Sequence, residues 1–282
     1  MDGPAGARLG GGVPGPEAAL TSRGGRQEPA AVGARVAWIS VAPVKGLALV
    51  AREEVELEPA GVRENRRFYV LDGDGRMVNG KRLGRLVQVV PDYDEEEGRL
   101  ALRFPGGDIV EGRVRTAGAV DSSFYGRPVE GRLVEGPWAE ALSAFAGRPL
   151  RLVRVEAAGG GLDRGSGAGV SLVSLASLGA LAAAAGASAP VDGRRFRMLF
   201  GLDGLAAHEE DSWLGRRVRV GEAIVSLRAR TGRCAVTTQN PETGEPDLDT
   251  LRAIGAYRAG VHSEEPLRSA CGATSPGPAV SG

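Results

Sequence analysis

Lysine is nearly absent from this 282-residue chain: Lys45 and Lys81 stand alone among 35 basic side chains, and all the others are arginine. With 44 glycines, that bias fits G+C-rich coding, so arginine abundance alone carries no functional signal. The two lysines that codon pressure has not replaced are therefore positions of interest. Cysteine and histidine are equally scarce. Cys234 and Cys271 cannot build a disulfide framework, and with His208 and His262 they form no spaced zinc cluster. A reducing, cytoplasmic compartment is expected. Net charge is absent too, because 35 acidic residues balance the basic ones, and nothing draws the chain toward nucleic acid or an anionic membrane. The N-terminus has no basic segment followed by an apolar run. Residues 165–191 carry no charge, but Ala, Ser and Gly dominate, Leu172, Leu175, Leu178 and Leu181 recur every third residue, and Pro190 closes the stretch. That pattern predicts a buried helix with one packed face and not a membrane span.

What is present is a β-rich pattern with a hydrophobic share of 42%, enough for a core. Residues 1–33 are Gly, Pro and Ala broken by scattered charges, which predicts a disordered tail. Short β-like runs follow at 36–41, 53–57, 67–71, 86–90, 100–104 and 109–114, separated by turn signals. Spacing of this kind reads as an antiparallel barrel or sandwich. Pro137, then Trp138, Leu142 and Phe145, with Gly147 after them, predict a helix. A strand at 148–155, a glycine-rich loop at 159–169 and a helix capped by Ser174 come next. Further strands are expected at 194–200, 216–220 and 224–230. A last helix fits 248–258, with Asp247 as its cap, Leu248, Leu251, Ile254 and Tyr257 as its stripe and Gly260 past its end. No alternating apolar strand follows Gly260.

Residues 231–244, Thr-Gly-Arg-Cys-Ala-Val-Thr-Thr-Gln-Asn-Pro-Glu-Thr-Gly, are the most informative stretch. Cys234 ends an expected strand beside Arg233 and before a turn, which places it at a rim. There Arg233 and backbone N–H groups could stabilise a thiolate able to ligate a soft metal. A lone cysteine in a β protein also packs as a small hydrophobe. The residues alone leave both readings open.

The segment resembles the signature of the MOSC domain, the molybdenum-cofactor-binding module of the cofactor sulfurase C-terminal region and of the amidoxime-reducing components. Val41-Ala42-Pro43-Val44-Lys45-Gly46 resembles the opening of the β-barrel that precedes MOSC, and Arg66-Arg67-Phe68-Tyr69 its Asp-Arg-x-Phe strand. Ser174-Leu175-Ala176-Ser177-Leu178, Arg195-Phe196-Arg197 and Glu210-Asp211-Ser212-Trp213 resemble further family motifs, in order. The resemblance implies a mainly β fold with a few helices: an N-terminal β-barrel domain at 34–130 and a MOSC β-barrel domain at 148–260. Residues 261–282 are expected to be an unstructured, truncated or diverged ending that leaves the sheet edge beside 224–230 unpaired.

The resemblance further implies that Cys234 is both the metal ligand and the catalytic centre of a molybdenum cofactor (molybdopterin) site. Lys45, Arg67 and Arg197 would hold its phosphate and pterin edge, with Arg66 able to replace Arg67, and Arg233 and Thr238 complete the set. Asp211 and Trp213 read as a turn and a core anchor, and His208 and His262 as surface residues. The implied activity is reduction of small N-hydroxylated substrates. No flavin, haem or iron–sulfur motif is present, so electrons are expected from a separate electron-transfer protein, ferredoxin-like or a flavin reductase. Pyridoxal phosphate binding is not expected. The rival readings are a non-catalytic carrier of molybdenum cofactor or sulfur, and an inactive remnant. Three departures from the family pattern stand out: Met198-Leu199 in place of Pro-Asn, Gly232 in place of a serine, and the ending itself.

Overall fold

A computed structural model describes residues 7–10, 22–23, 33–124, 127–156, 169–261 and 268–274. The fold is mostly strand (42%), with three helices among the described residues. A five-stranded sheet runs in the order Arg115–Phe124, Arg127–Glu135, Leu150–Val155, Phe68–Asp72, Met77–Val78. Its Phe68–Asp72 strand is a continuous apolar run because both faces are covered. Phe68 and Val70 pack with Leu86, Leu100, Trp138 and Leu142, while Tyr69 and Leu71 pack with Val153 and Val155. Helix α1 (Trp138–Ala146) begins after Pro137 and ends on left-handed Gly147, as its local signals predict. The Trp138 indole donates to the Leu100 carbonyl at 3.1 Å, so its polar edge is satisfied in the core.

An eight-stranded sheet runs in the order Ser22–Arg23, Arg217–Val220, Ala223–Gly232, Arg268–Thr274, Val170–Ser174, Phe200–Asp203, Arg35–Val41, Val50–Arg52. Ile39, Val41, Leu172, Phe200, Trp213 and Leu227 share its core. The parallel neighbours Val170–Ser174 and Phe200–Asp203 are joined by a crossover containing helix α2 (Leu175–Ala185). Ser174 caps α2 by accepting from the Ser177 N–H at 3.1 Å. Helix α3 (Thr250–Tyr257) packs on α2 through Ile254 against Leu178 and Leu181.

Several expectations are corrected. Residues 86–90 open as a 3-10 turn (Gly84–Gln88) ahead of strand Val90–Asp94, and 194–200 open as another (Gly193–Phe196) ahead of Phe200–Asp203. Leu172 lies in a strand, outside α2. Asp249, not Asp247, caps α3. Strand Arg35–Val41 joins the sheet of the later residues and Leu150–Val155 joins that of the earlier ones, so two strands cross the expected division at 130–148.

The expected tails are also not wholly without structure. Ala7–Gly10 pairs with Glu54–Glu58, and Ser22–Arg23 with Arg217–Val220. Arg268–Thr274 lies between Ala223–Gly232 and Val170–Ser174, so the expected open edge is paired, and Cys271 sits opposite Arg230 and Leu172. The glycine-rich loop, except for Gly169, and His262 lie outside the described residues. Among the described residues no helix is long and apolar enough to cross a membrane.

Candidate functional site

A cleft of about 390 Å³ is lined by residues of segments 45–124 and 170–241. Nine basic side chains line it and no carboxylate does, in a chain whose total charges balance. Both lysines are among the nine.

Three of the cations are locked to one another by backbone. The turn carrying Lys45 lies along residues 66–68: the Lys45 N–H donates to the Phe68 carbonyl at 2.8 Å, and the Phe68 N–H donates to Pro43 at 3.0 Å. Arg66 takes a left-handed conformation (φ 55°), and its N–H donates to Ala42 at 2.7 Å. Arg197 is left-handed as well (φ 52°), and its guanidinium donates to the Leu47 carbonyl at 2.8 Å. The Lys45 ammonium stands 4.1 Å from the centre of the Phe124 ring, a cation–π contact that keeps it at the cleft wall.

Cys234 follows strand Ala223–Gly232 and precedes the 3-10 turn Ala235–Thr238, half-buried at the cleft. The Thr237 N–H and hydroxyl both donate to the Cys234 carbonyl at 3.0 Å, and the Thr237 hydroxyl lies 2.8 Å from that of Thr250 at the start of α3. Arg195 forks onto Asp247 at 2.6 and 2.8 Å and donates to the Gln239 carbonyl at 2.7 Å. The Arg195 hydrogen bond holds the Asp247 carboxyl below the usual carboxylate range.

The loop beyond the cysteine then docks on the earlier segment. Gln239 donates to Gly80 at 2.8 Å, Gln88 donates to Thr243 at 3.0 Å, and Gly84 approaches Gly244 so closely that a Cβ on Gly84 would stand 2.2 Å from the Gly244 carbonyl. Arg233 lies over the Phe196 ring and against the Met198 sulfur at 3.3 Å, so the residue standing in place of the family's proline packs on the arginine that precedes Cys234 in the chain.

Of the expected site residues, Cys234, Lys45, Arg197 and Arg233 meet at this cleft. Arg67 does not. It is buried and pairs with Glu95 at 3.1 Å, with Arg154 at 3.8 Å on the same carboxylate. Burial pushes the Glu95 carboxyl above its ordinary range even with two arginines beside it. The Arg67 carbonyl accepts from the Val155 N–H at 2.9 Å, which lays that residue along the five-stranded sheet and leaves Arg66 for the cleft.

Thr238 is also away from the cleft lining; its hydroxyl donates to Ala235 at 2.7 Å, and Thr237 and Gln239 line the wall instead. His208 is half-buried and not on the surface: it stacks near Tyr257, and burial lowers its pKa. Arg228, Arg230 and Gln239 are cleft residues that the sequence did not single out, and Lys81, a position of interest without an assigned role, lines the cleft as well. For Lys81 the rarity of lysine was the available signal.

Residues 33–149 match the MOSC N-terminal beta barrel domain and residues 161–266 match the MOSC domain. The chain belongs to the MOSC family. Mitochondrial amidoxime-reducing component 1 of Xenopus laevis is 25% identical, the match covering 78% of this chain and 71% of that protein. A solution structure of a Bordetella bronchiseptica protein matches at 24% identity, covering 33% of this chain and 73% of its own, with a TM-score of 0.26.

Among the described residues no group of three or more His, Cys, Asp or Glu could hold a metal ion. A metal at Cys234 would thus have one protein donor and take its others from a cofactor. The residues present fit such a group: one half-buried thiol beside an arginine, and a wall of cations without carboxylates that suits a phosphate-bearing ligand.

Proposed function

We propose that this chain binds a molybdenum cofactor in the cleft and reduces N-hydroxylated compounds, with electrons from a separate electron-transfer protein. The observation that carries the reading is the cleft itself, with nine cations, no carboxylate and one thiol drawn together from both matched segments. Lys45, Arg66 and Arg197 would hold the phosphate, with the arginine forks suited to two oxygens at once. Cys234 would supply the sulfur ligand to the metal, with Arg233, its neighbour in sequence, also lining the cleft. When bound, the cofactor supplies the two-electron centre that N–O cleavage needs. In the balanced reaction the N–O bond breaks, the substrate takes two electrons and two protons, and the products are the N–H compound and water. The Xenopus relative is named for amidoxime reduction, the same class of chemistry.

The test is turnover of benzamidoxime to benzamidine by protein purified from a cofactor-producing host and supplied with a chemical reductant. Turnover that is lost in Cys234→Ser supports the reading. Bound cofactor without reduction of any N-hydroxylated compound would leave a carrier, and no bound cofactor would end both readings.

A further inference from the structure

Resting on that function, we propose that Lys81 selects N-hydroxylated substrates that also carry an anionic group, a carboxylate or a phosphate. The chain uses lysine twice and places both at one cleft. Three of the cleft cations already have carboxylate partners: Arg194 with Asp192 and Glu242, Arg195 with Asp247, and Arg230 with Asp211. Lys45, Arg66 and Arg197 are half-buried and gathered around one backbone knot. Arg233 is held on Phe196 and Met198, which leaves Lys81 and Arg228 as the exposed cleft cations with no carboxylate partner among the described residues, and of these Lys81 is the one on the segment facing the Cys234 loop.

The ammonium is rooted close to the thiol segment. Asn79 accepts from the Lys81 N–H at 3.0 Å and fixes the turn, while Gly80 packs so near Val236 that a Cβ on it would stand 3.2 Å from a valine methyl. Val236 lies two residues beyond Cys234. Lys81 thus lines the cleft from the segment that packs against the Cys234 loop. A lysine suits that task where an arginine suits the phosphate knot. A point charge on a flexible stem follows an anion whose position varies with the substrate, whereas a planar fork needs one fixed geometry. The surrounding cations, with no carboxylate in the lining, raise the positive potential that such an anion meets.

The experiment compares benzamidoxime with 4-carboxybenzamidoxime on the cofactor-loaded protein under chemical reduction. Wild type should show a KM for the carboxylated compound lower by about tenfold, the size of one charge-assisted hydrogen bond at a partly screened site. Lys81→Met should bring the two KM values together, Lys81→Arg should restore part of the difference, and added salt should shrink it. Equal KM values in wild type, or a difference that survives in Lys81→Met, would overturn the proposal while leaving the reductase reading intact. Absence of turnover with both compounds counts against that reading instead. Titration calorimetry of the carboxylated compound on the loaded protein then decides the role of Lys81. Tighter binding than benzamidoxime, lost in Lys81→Met, supports it, and equal binding sinks it.

Discussion

The Arg66 guanidinium donates to the main-chain carbonyl of Arg197 at 3.4 Å, and both residues hold left-handed backbone. They lie 131 positions apart, one in each matched segment. With His208 they are the three non-glycine residues of positive φ among the described residues. Left-handed backbone costs such residues about 1–2 kcal/mol each, and strain of that kind persists where surrounding contacts over-determine it. Here the strain aims two cations at one cleft.

Replacing either by glycine separates charge from backbone strain. Arg66→Gly and Arg197→Gly should relax the backbone and lose a hydrogen bond, terms of similar size that leave thermal stability within about 1 kcal/mol of wild type. Cofactor retention should fall about tenfold or more, because each charge-assisted phosphate contact contributes roughly 1.5–3 kcal/mol. Molybdenum content after dialysis, read beside a melting curve, checks both.

Arg67→Ala should behave in the opposite way. Removing the buried arginine leaves Glu95 with Arg154 at 3.8 Å as its nearest ion-pair partner and should cost about 3 kcal/mol of stability. Molybdenum per folded chain should match wild type. Denaturant unfolding and metal analysis on the same preparation separate the neighbouring arginines.

Much of this arrangement was written in local signals, and the rest depends on distant partners. Pro137 and Gly147 mark α1 from the sequence because both act within one turn. The start of α3 was misplaced because Asp247 and Asp249 are equally plausible caps, and only the Arg195 fork, 52 positions away, removes Asp247 from the choice. Phe196, Met198 and Phe200 alternate like a strand, yet Asp192 caps a 3-10 turn there and Arg197 turns left-handed to meet Leu47. The motif at 66–69 is legible, but which arginine faces the cleft is settled by the ladder contact between Arg67 and Val155. Strand Arg268–Thr274 has small residues and no apolar alternation. It is placed by hydrogen bonding on both of its edges, which no single-strand pattern reveals.

The docking of residues 239–244 on residues 80–88 should be sensitive to a single methyl group. Gly84→Ala sets a Cβ 2.2 Å from the Gly244 carbonyl, so the two backbones must part. The expected outcome is a loss of roughly 1–3 kcal/mol with weaker cofactor retention. Gly118→Ala, where a Cβ meets nothing within 4 Å, is the control. Unchanged melting and retention in Gly84→Ala would mean that the two segments do not depend on this approach.

Stability should fall as pH drops through the ordinary histidine range. Burial, with Arg258 nearby, lowers the His208 pKa in the fold, against the pull of Glu210 and Asp211. A depressed histidine stays neutral when folded but takes a proton when unfolded. Its contribution is therefore present above the unfolded pKa of about 6.5 and is lost progressively below it. Melting temperatures between pH 7.5 and 5.5 should decline in wild type and decline less in His208→Leu.

The most direct measurement is the molybdenum and pterin content of chains purified from a cofactor-producing host, compared among wild type, Cys234→Ser, Arg66→Ala and Arg67→Ala. Stoichiometric metal is expected in wild type, an altered or lost metal site in Cys234→Ser, depleted cofactor in Arg66→Ala, and wild-type content per folded chain in Arg67→Ala. Equal content in all four proteins, or none in wild type, would contradict the assignment of this cleft.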